Sequence, residues 1–279
     1  MSALIQAQLL LPLLEGERPP LLVDVRWSLD GPDREGYEQG HLPGAVFCDL
    51  DAELASPPGQ AGRHPLPSRE QLQSTMRRLG IASDRDVVVY DGGSGLPSAR
   101  AWWCLRWAGH GRVRVLDGGL LTWLAAGGTL EGGDVAPVPA PRARAHIGAM
   151  PTVTVGDVAD GRVDVLLDVR AGERYRGEKE PVDPVAGHIP GAVSLPISEV
   201  LADDGRLLPP DQLRAALAPL LPTASPPEGS VAVAAYCGSG VTAAQMVLAL
   251  HEADVDAALY PGSWSEWIAD RSRPVATGD

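Results

Sequence analysis

The sequence predicts an α/β protein built from two tandem copies of one domain, each a mostly parallel sheet with helices on both faces. Three observations predict it. The first is an internal repeat. Leu21-Leu22-Val23-Asp24-Val25-Arg26 recurs as Val165-Leu166-Leu167-Asp168-Val169-Arg170, and Gly40-His41-Leu42-Pro43-Gly44-Ala45-Val46 recurs as Gly187-His188-Ile189-Pro190-Gly191-Ala192-Val193. Val87–Asp91 is echoed by Val233–Cys237, and Gly118 with Trp123 by Gly262 with Trp267. Four blocks in one order, at offsets between 144 and 147 residues, mark a tandem duplication. The second is a set of short apolar runs that are continuous rather than alternating, the pattern of strands buried on both faces. The third is the helical periodicity of the segments between them.

In the first copy the predicted strands are Leu21–Val25, Val87–Tyr90 and Val113–Leu116, with helices over Ser68–Leu79 and Ala99–Ala108. In the second they are Val165–Val169, Val231–Tyr236 and Ala257–Tyr260, with helices over Pro210–Leu220 and Thr242–Ala253. The stretch Thr129–Met150 carries Gly132, Gly133, Pro137, Pro139 and Pro141, and reads as an extended, solvated connector stiffened by proline. The expected organisation is therefore an N-terminal copy over residues 1–135, a linker over 136–149 and a C-terminal copy over 150–279.

Composition narrows the function classes. The 279 residues hold 23 Lys plus Arg against 36 Asp plus Glu, a formal charge of −13, which argues against nucleic acid or an anionic membrane as the main partner. An anionic substrate would need a local positive site built against that global field. Three scattered cysteines, Cys48, Cys104 and Cys237, form neither a disulfide framework nor a zinc motif. The apolar run Leu9–Leu14 lacks a basic flank and a small-residue cleavage site, and no run approaches the ~18 residues of a membrane span. A cytoplasmic setting is predicted.

In open parallel sheets ligands bind beyond the carboxyl ends of the strands, so the strand-to-helix loops carry the chemistry. The loop after Val231–Tyr236 reads Cys237-Gly238-Ser239-Gly240-Val241-Thr242 and runs straight into a helix. Its two glycines permit the backbone angles of a tight cradle, successive N–H groups point at its centre, and the helix N-terminus adds partial positive charge. Such surroundings favour the thiolate, the nucleophilic form of cysteine. A random cysteine is more often a small buried hydrophobe, and Cys48 and Cys104 read that way. The order strand, Cys, glycine-rich turn, helix inverts those odds for Cys237.

On these residues the sequence resembles the two-domain rhodanese (sulfurtransferase) family, and its Cys-Gly-Ser-Gly-Val-Thr loop is similar to that of the 3-mercaptopyruvate sulfurtransferases. The resemblance spans nearly the whole chain. It implies an inactive N-terminal copy, with Asp91 where the second copy has Cys237, and a catalytic C-terminal one. It implies that Cys237 takes sulfur from a small anionic donor, 3-mercaptopyruvate or, alternatively, thiosulfate. The resulting persulfide would be held by the loop backbone of Gly238, Gly240, Val241 and Thr242 and passed to cyanide or a thiol, such as a thioredoxin-like protein or a low-molecular-weight thiol. Arg174 matches the position that grips the donor carboxylate. Ser239 matches a serine acting with a His and an Asp of the N-terminal copy, for which His41 and Asp33 are the expected residues. No metal or organic cofactor is implied. One departure matters: Val182 stands where a second donor-binding Arg is expected, and Arg176 or Lys179 would have to compensate.

The remaining candidates have structural readings. His188 is expected to be structural, Asp24 with Arg26 and Asp168 with Arg170 to be loop-bracing ion pairs, and Trp103, Trp107, Trp264 and Trp267 to be core. Gly92-Gly93-Ser94-Gly95 lacks the Lys of a phosphate loop and reads as the degenerate twin of the Cys237 loop. A Cys-dependent phosphatase would need an Arg six residues after the Cys, where this chain has Ala243. A non-catalytic binding or sensing module would have no use for the intact loop and Arg174.

Overall fold

A computed structural model of the chain describes residues 2–222 and 228–279. The described residues fall into two compact units. The first comprises the chain up to Ser56, Leu66–Met150 and Asp203–Arg206, and the second comprises Pro57–Pro65, Pro151–Ala202 and the chain from Leu207 on. The short segment Pro57–Pro65 thus comes from the N-terminal half of the sequence but packs as part of the second unit.

The first unit begins with strand β1 (Leu4–Ile5) and helix α1 (Ala7–Leu14), then β2 (Leu21–Asp24), a two-stranded antiparallel pair of β3 (Trp27–Ser28) and β4 (Gly31–Pro32), and α2 (Arg34–Gln39). It continues through β5 (Val46–Phe47), α3 (Leu50–Glu53), α4 (Arg69–Leu79), β6 (Val87–Tyr90), α5 (Leu96–Trp107), β7 (Val113–Leu116) and α6 (Gly119–Ala125). Its main sheet has the order β1-β7-β6-β2-β5 and every pair is parallel.

The second unit runs α7 (Val155–Ala159), β8 (Val163–Asp168), α8 (Gly172–Tyr175), β9 (Val193–Ser194), α9 (Pro210–Leu217), β10 (Val231–Tyr236), α10 (Val241–Glu252), β11 (Ala258–Leu259) and α11 (Ser263–Trp267). Its sheet, β11-β10-β8-β9, is also parallel throughout. The two cores use corresponding positions: Leu22, Leu42, Val88, Tyr90 and Trp123 in one, Leu166, Ile189, Ala234, Tyr236 and Trp267 in the other.

Local chemistry explains where the elements start and stop. Ser68 caps α4 by accepting from the Gln71 amide, and Gly80 ends it at φ +83°. Helix α5 begins three residues earlier than the periodicity suggests, because Gly95 turns the chain at φ +74° and Pro97 fits the first turn of a helix. At the end of α9 the chain tightens into a 3-10 turn over Ala218–Leu220, where Pro219 offers no N–H to continue an α-helix.

Most of the connector is exposed, and it is tied down at a few points. Ala143 and Ala145 are buried, and the strap is bonded to the first unit through Ala140 N to Arg77 O, His146 N to Ala108 O, and the Arg69 and Arg77 side chains to Ala145 O and Ala143 O. Alanines spaced two apart in an extended chain present one face, and that face is packed. Among the described residues, no helix is long and apolar enough to cross a membrane.

Candidate active site

Strand β10 lies inside its sheet between β8 and β11, so the residue that follows its carboxyl end is held from both sides. That residue is Cys237, 3% exposed. Its N–H donates to Ser263 Oγ at 3.1 Å, and the Ser263 hydroxyl donates to Tyr260 O at 2.9 Å. Its carbonyl accepts from Trp264 N, and that of Gly238 from Ser265 N, each at 3.0 Å. The loop is therefore stapled to the start of α11. Gly240 closes it at φ +83°, with its backbone so near Pro261 that a Cβ would sit 2.4 Å from the Pro261 carbonyl. Only glycine meets both demands. The turn brings Gly240 N to 3.1 Å from Cys237 Sγ, an N–H aimed at the sulfur.

The first unit contains a related loop, one residue longer before its helix, with its centre filled. Asp91 Oδ1 accepts from Gly93 N at 2.7 Å and Gly95 N at 3.1 Å, while Oδ2 accepts from Ser98 N at 3.2 Å and Ser98 Oγ at 2.7 Å. A carboxylate in that position shows that a loop of this build receives an anion through its backbone amides.

The residues around Cys237 come from three places. Ser239 Oγ lies 2.7 Å from Nδ1 of His64. Arg63, the preceding residue, is fixed by its amide to Ser265 Oγ at 3.1 Å, and its guanidinium bonds Asp183 Oδ1. Arg174 on α8 bonds both Glu180 oxygens, at 2.9 Å from Nε and 2.7 Å from Nη2, and Asp183 Oδ2 at 3.1 Å. A Cβ on Gly238 would meet Arg63 Nη2 at 2.7 Å and Arg174 Nη2 at 3.6 Å, so both guanidinium groups lie against the residue that follows the cysteine.

Burial pushes the Asp183 carboxyl up, against the opposing pull of Arg63 and Arg174. Burial also pushes Glu180 up, but hydrogen bonds from Arg174 and from the Asp183 and Val182 amides outweigh it, and the net direction is down. Burial, reinforced by Glu53, pushes Cys48 well up, and burial pushes Cys104 up. Both are fully buried, where desolvation favours the neutral thiol.

The expected partners of Ser239 lie elsewhere. His41 is fully buried in the first unit, with Nδ1 2.9 Å from Tyr37 O, its ring stacked on Tyr37, and its backbone paired with Glu131. His188 does the same work in the second unit, with Nδ1 2.8 Å from Tyr175 O and its ring stacked on Tyr175. The repeated Gly-His motif is thus a structural device in both copies. Asp33 caps α2, accepting from Gly36 N at 2.9 Å. The histidine at Ser239 is His64, which carries no motif.

Val182 is 38% exposed and contributes only its amide, to Glu180. Neither expected substitute for a second Arg takes its place: Arg176 pairs with Glu178, and Lys179 with Glu173, at the surface. The guanidinium that lies beside that of Arg174 at Gly238 belongs to Arg63. The ion pairs Asp24–Arg26 and Asp168–Arg170 are present, and Arg26 and Arg170 reach on to the carbonyls of Gly40 and Gly187.

The rhodanese-like domain family matches residues 6–126 and again 155–270. The chain belongs to the rhodanese family. A Mycobacterium tuberculosis protein with the provisional name thiosulfate sulfurtransferase SseB is 48% identical over 283 residues, covering 99% of this chain and 98% of the relative. A Pseudomonas aeruginosa protein, provisionally named a 3-mercaptopyruvate sulfurtransferase, is 45% identical over 273 residues, covering 94% of each. The crystal structure of SseA from Escherichia coli, described as showing the rhodanese fold of 3-mercaptopyruvate sulfotransferases, superposes with a TM-score of 0.79 at 33% identity, covering 95% of this chain and 100% of that one. This rhodanese is a sulfurtransferase with two rhodanese-like domains.

Proposed function

We propose that this rhodanese moves a sulfane sulfur from 3-mercaptopyruvate to a thiol or cyanide through a persulfide on Cys237. The observation that carries the reading is a cysteine with a backbone N–H on its sulfur and two guanidinium groups against the next residue, a nucleophile beside an anion site.

The Cys237 sulfur attacks the donor sulfur, and the donor's carbon–sulfur bond breaks. The electrons of that bond pass to carbon as the enolate of pyruvate, which takes up one proton and leaves. Ser239, bonded to His64, lies two residues from the nucleophile and offers a hydroxyl–imidazole pair that can carry that proton. The persulfide is held by the amides of Gly238, Gly240, Val241 and Thr242, as Asp91 is held in the other copy. An acceptor thiolate attacks the outer sulfur and restores Cys237. A thioredoxin-like protein or a low-molecular-weight thiol meets that requirement.

Thiosulfate is the second reading, favoured by one observation: the position expected to bear a second cation carries Val182, and a relative of similar identity bears the thiosulfate name. Initial rates with the two donors, in one buffer and with one acceptor, separate them. The expected result is a preference for 3-mercaptopyruvate that disappears in Cys237→Ser, together with the loss of a one-sulfur mass increase on the protein. Turnover by Cys237→Ser would end the persulfide mechanism, and a preference for thiosulfate would reassign the donor.

A further inference from the structure

The geometry points to Arg63 as the second arm of the anion site: Arg63 and Arg174 together take the donor's anionic group, and Asp183 occupies their shared position when no donor is bound. The inference rests on the sulfurtransferase reading of the Cys237 loop and names the residue that does what Val182 cannot.

The pattern around Asp183 carries it. One carboxylate oxygen is bonded by Arg63 and the other by Arg174, so the two guanidinium groups already embrace a single carboxylate in the arrangement an α-keto acid or a sulfonate would present. Both lie against Gly238, next to the nucleophile, and the missing Gly238 side chain makes the room they occupy. They differ in how tightly they are tied. Arg174 is also bonded to both oxygens of Glu180, whereas Asp183 is the one carboxylate that Arg63 pairs with among the described residues, and the Arg63 side chain is 30% exposed. An incoming anion therefore exchanges with Asp183 at Arg63 and keeps Arg174 in place.

Position supports the same assignment. The Gly59–Gly62 backbone pairing and the close approach of Gly62 to the Gly262 carbonyl fix the segment, and the Arg63 amide is bonded to Ser265. Two consecutive residues then serve the loop, Arg63 at Gly238 and His64 at Ser239. The cations nearer Val182 in sequence, Arg176 and Lys179, are held in exposed ion pairs with Glu178 and Glu173.

The test reads anion recognition separately from sulfur transfer. Alkylation of Cys237 by iodoacetate, an anion, is compared with alkylation by neutral iodoacetamide in the full chain and in Arg63→Gln. The expected result is a fall of about tenfold in the iodoacetate to iodoacetamide ratio, with a matching rise in KM for 3-mercaptopyruvate and a kcat changed less than about threefold. Iodoacetamide reports whether the loop is intact, Arg63→Lys should recover part of the ratio, and V182R added to Arg63→Gln should restore most of it. An unchanged ratio in a variant that still reacts normally with iodoacetamide overturns the assignment of Arg63. A fall in the ratio in a protein that turns over neither donor would leave the anion site standing and end the sulfurtransfer reading instead.

Discussion

At the scale of single residues the chain shows what a repeat preserves and what it reassigns. Asp91 and Cys237 both follow a central strand of their sheet and open a glycine-rich turn into a helix, but one loop satisfies its own amides with a carboxylate and the other leaves a sulfur at an amide. The histidines behave the opposite way. His41 and His188 keep one structural task in both copies, and the ring at Ser239 belongs to His64. Substitution should sort these roles. His64→Gln is expected to lower kcat by about a hundredfold or more, the usual worth of an acid–base group, with the melting temperature little changed. His41→Gln removes a buried hydrogen bond and a ring stack, so it should lower stability by about 1–3 kcal/mol and leave turnover per folded molecule intact. Steady-state kinetics beside thermal melts decide the matter, and the reverse ranking would return His41 to the catalytic role. The difference was not legible in the sequence for a physical reason. Cys237, Ser239 and Arg174 belong to local patterns of strand, turn and helix, whereas His64 sits in Arg63-His64-Pro65 with no periodicity around it and meets Ser239 across 175 residues of chain. A lone polar residue that gains its role from so distant a contact leaves no local trace.

At the scale of elements the long strands and helices could be read because they repeat a pattern several times: β6, β8, β10, α4 and α10 lie within a residue or two of their expected positions. Strands β1, β5 and β9 are two residues each, too short for any periodicity, and they are ordered by pairing with their neighbours. In the connector, composition reports the exposed, proline-rich character of the segment but not the one face, Ala143 and Ala145, that packs. The loop preceding α5 allows a direct test of how much an occupied cradle contributes. Asp91→Ala leaves the amides of Gly93, Gly95 and Ser98 without their shared acceptor, and urea unfolding should show a loss of about 1–3 kcal/mol. Asp91→Asn keeps a carbonyl acceptor and should lose less. Equal stability of Asp91→Ala and the parent protein would mean that water replaces the carboxylate at no cost, and the cradle would then be a weak anion site in either copy.

At the scale of the whole molecule a net charge of −13 opposes the approach of any anionic donor, while two guanidinium groups at the loop favour its capture. The two fields have different ranges. Contacts of 3–4 Å within the site are hardly screened by salt, whereas repulsion from acids spread over the surface acts across a Debye length of about 30 Å at 0.01 M and only about 8 Å at 0.15 M. Raising the ionic strength between those values should therefore remove most of the repulsion and little of the attraction. The expected outcome is a kcat/KM for 3-mercaptopyruvate that rises with salt, opposite in sign to the fall seen where a protein's overall field steers its substrate inward. The rise should lie in kcat/KM rather than kcat, because it concerns the encounter and not the bond-breaking step. A kcat/KM that falls over this range would mean that Arg63 and Arg174 project their field well beyond the loop, and that the acidic surface is arranged so as not to face the donor's path.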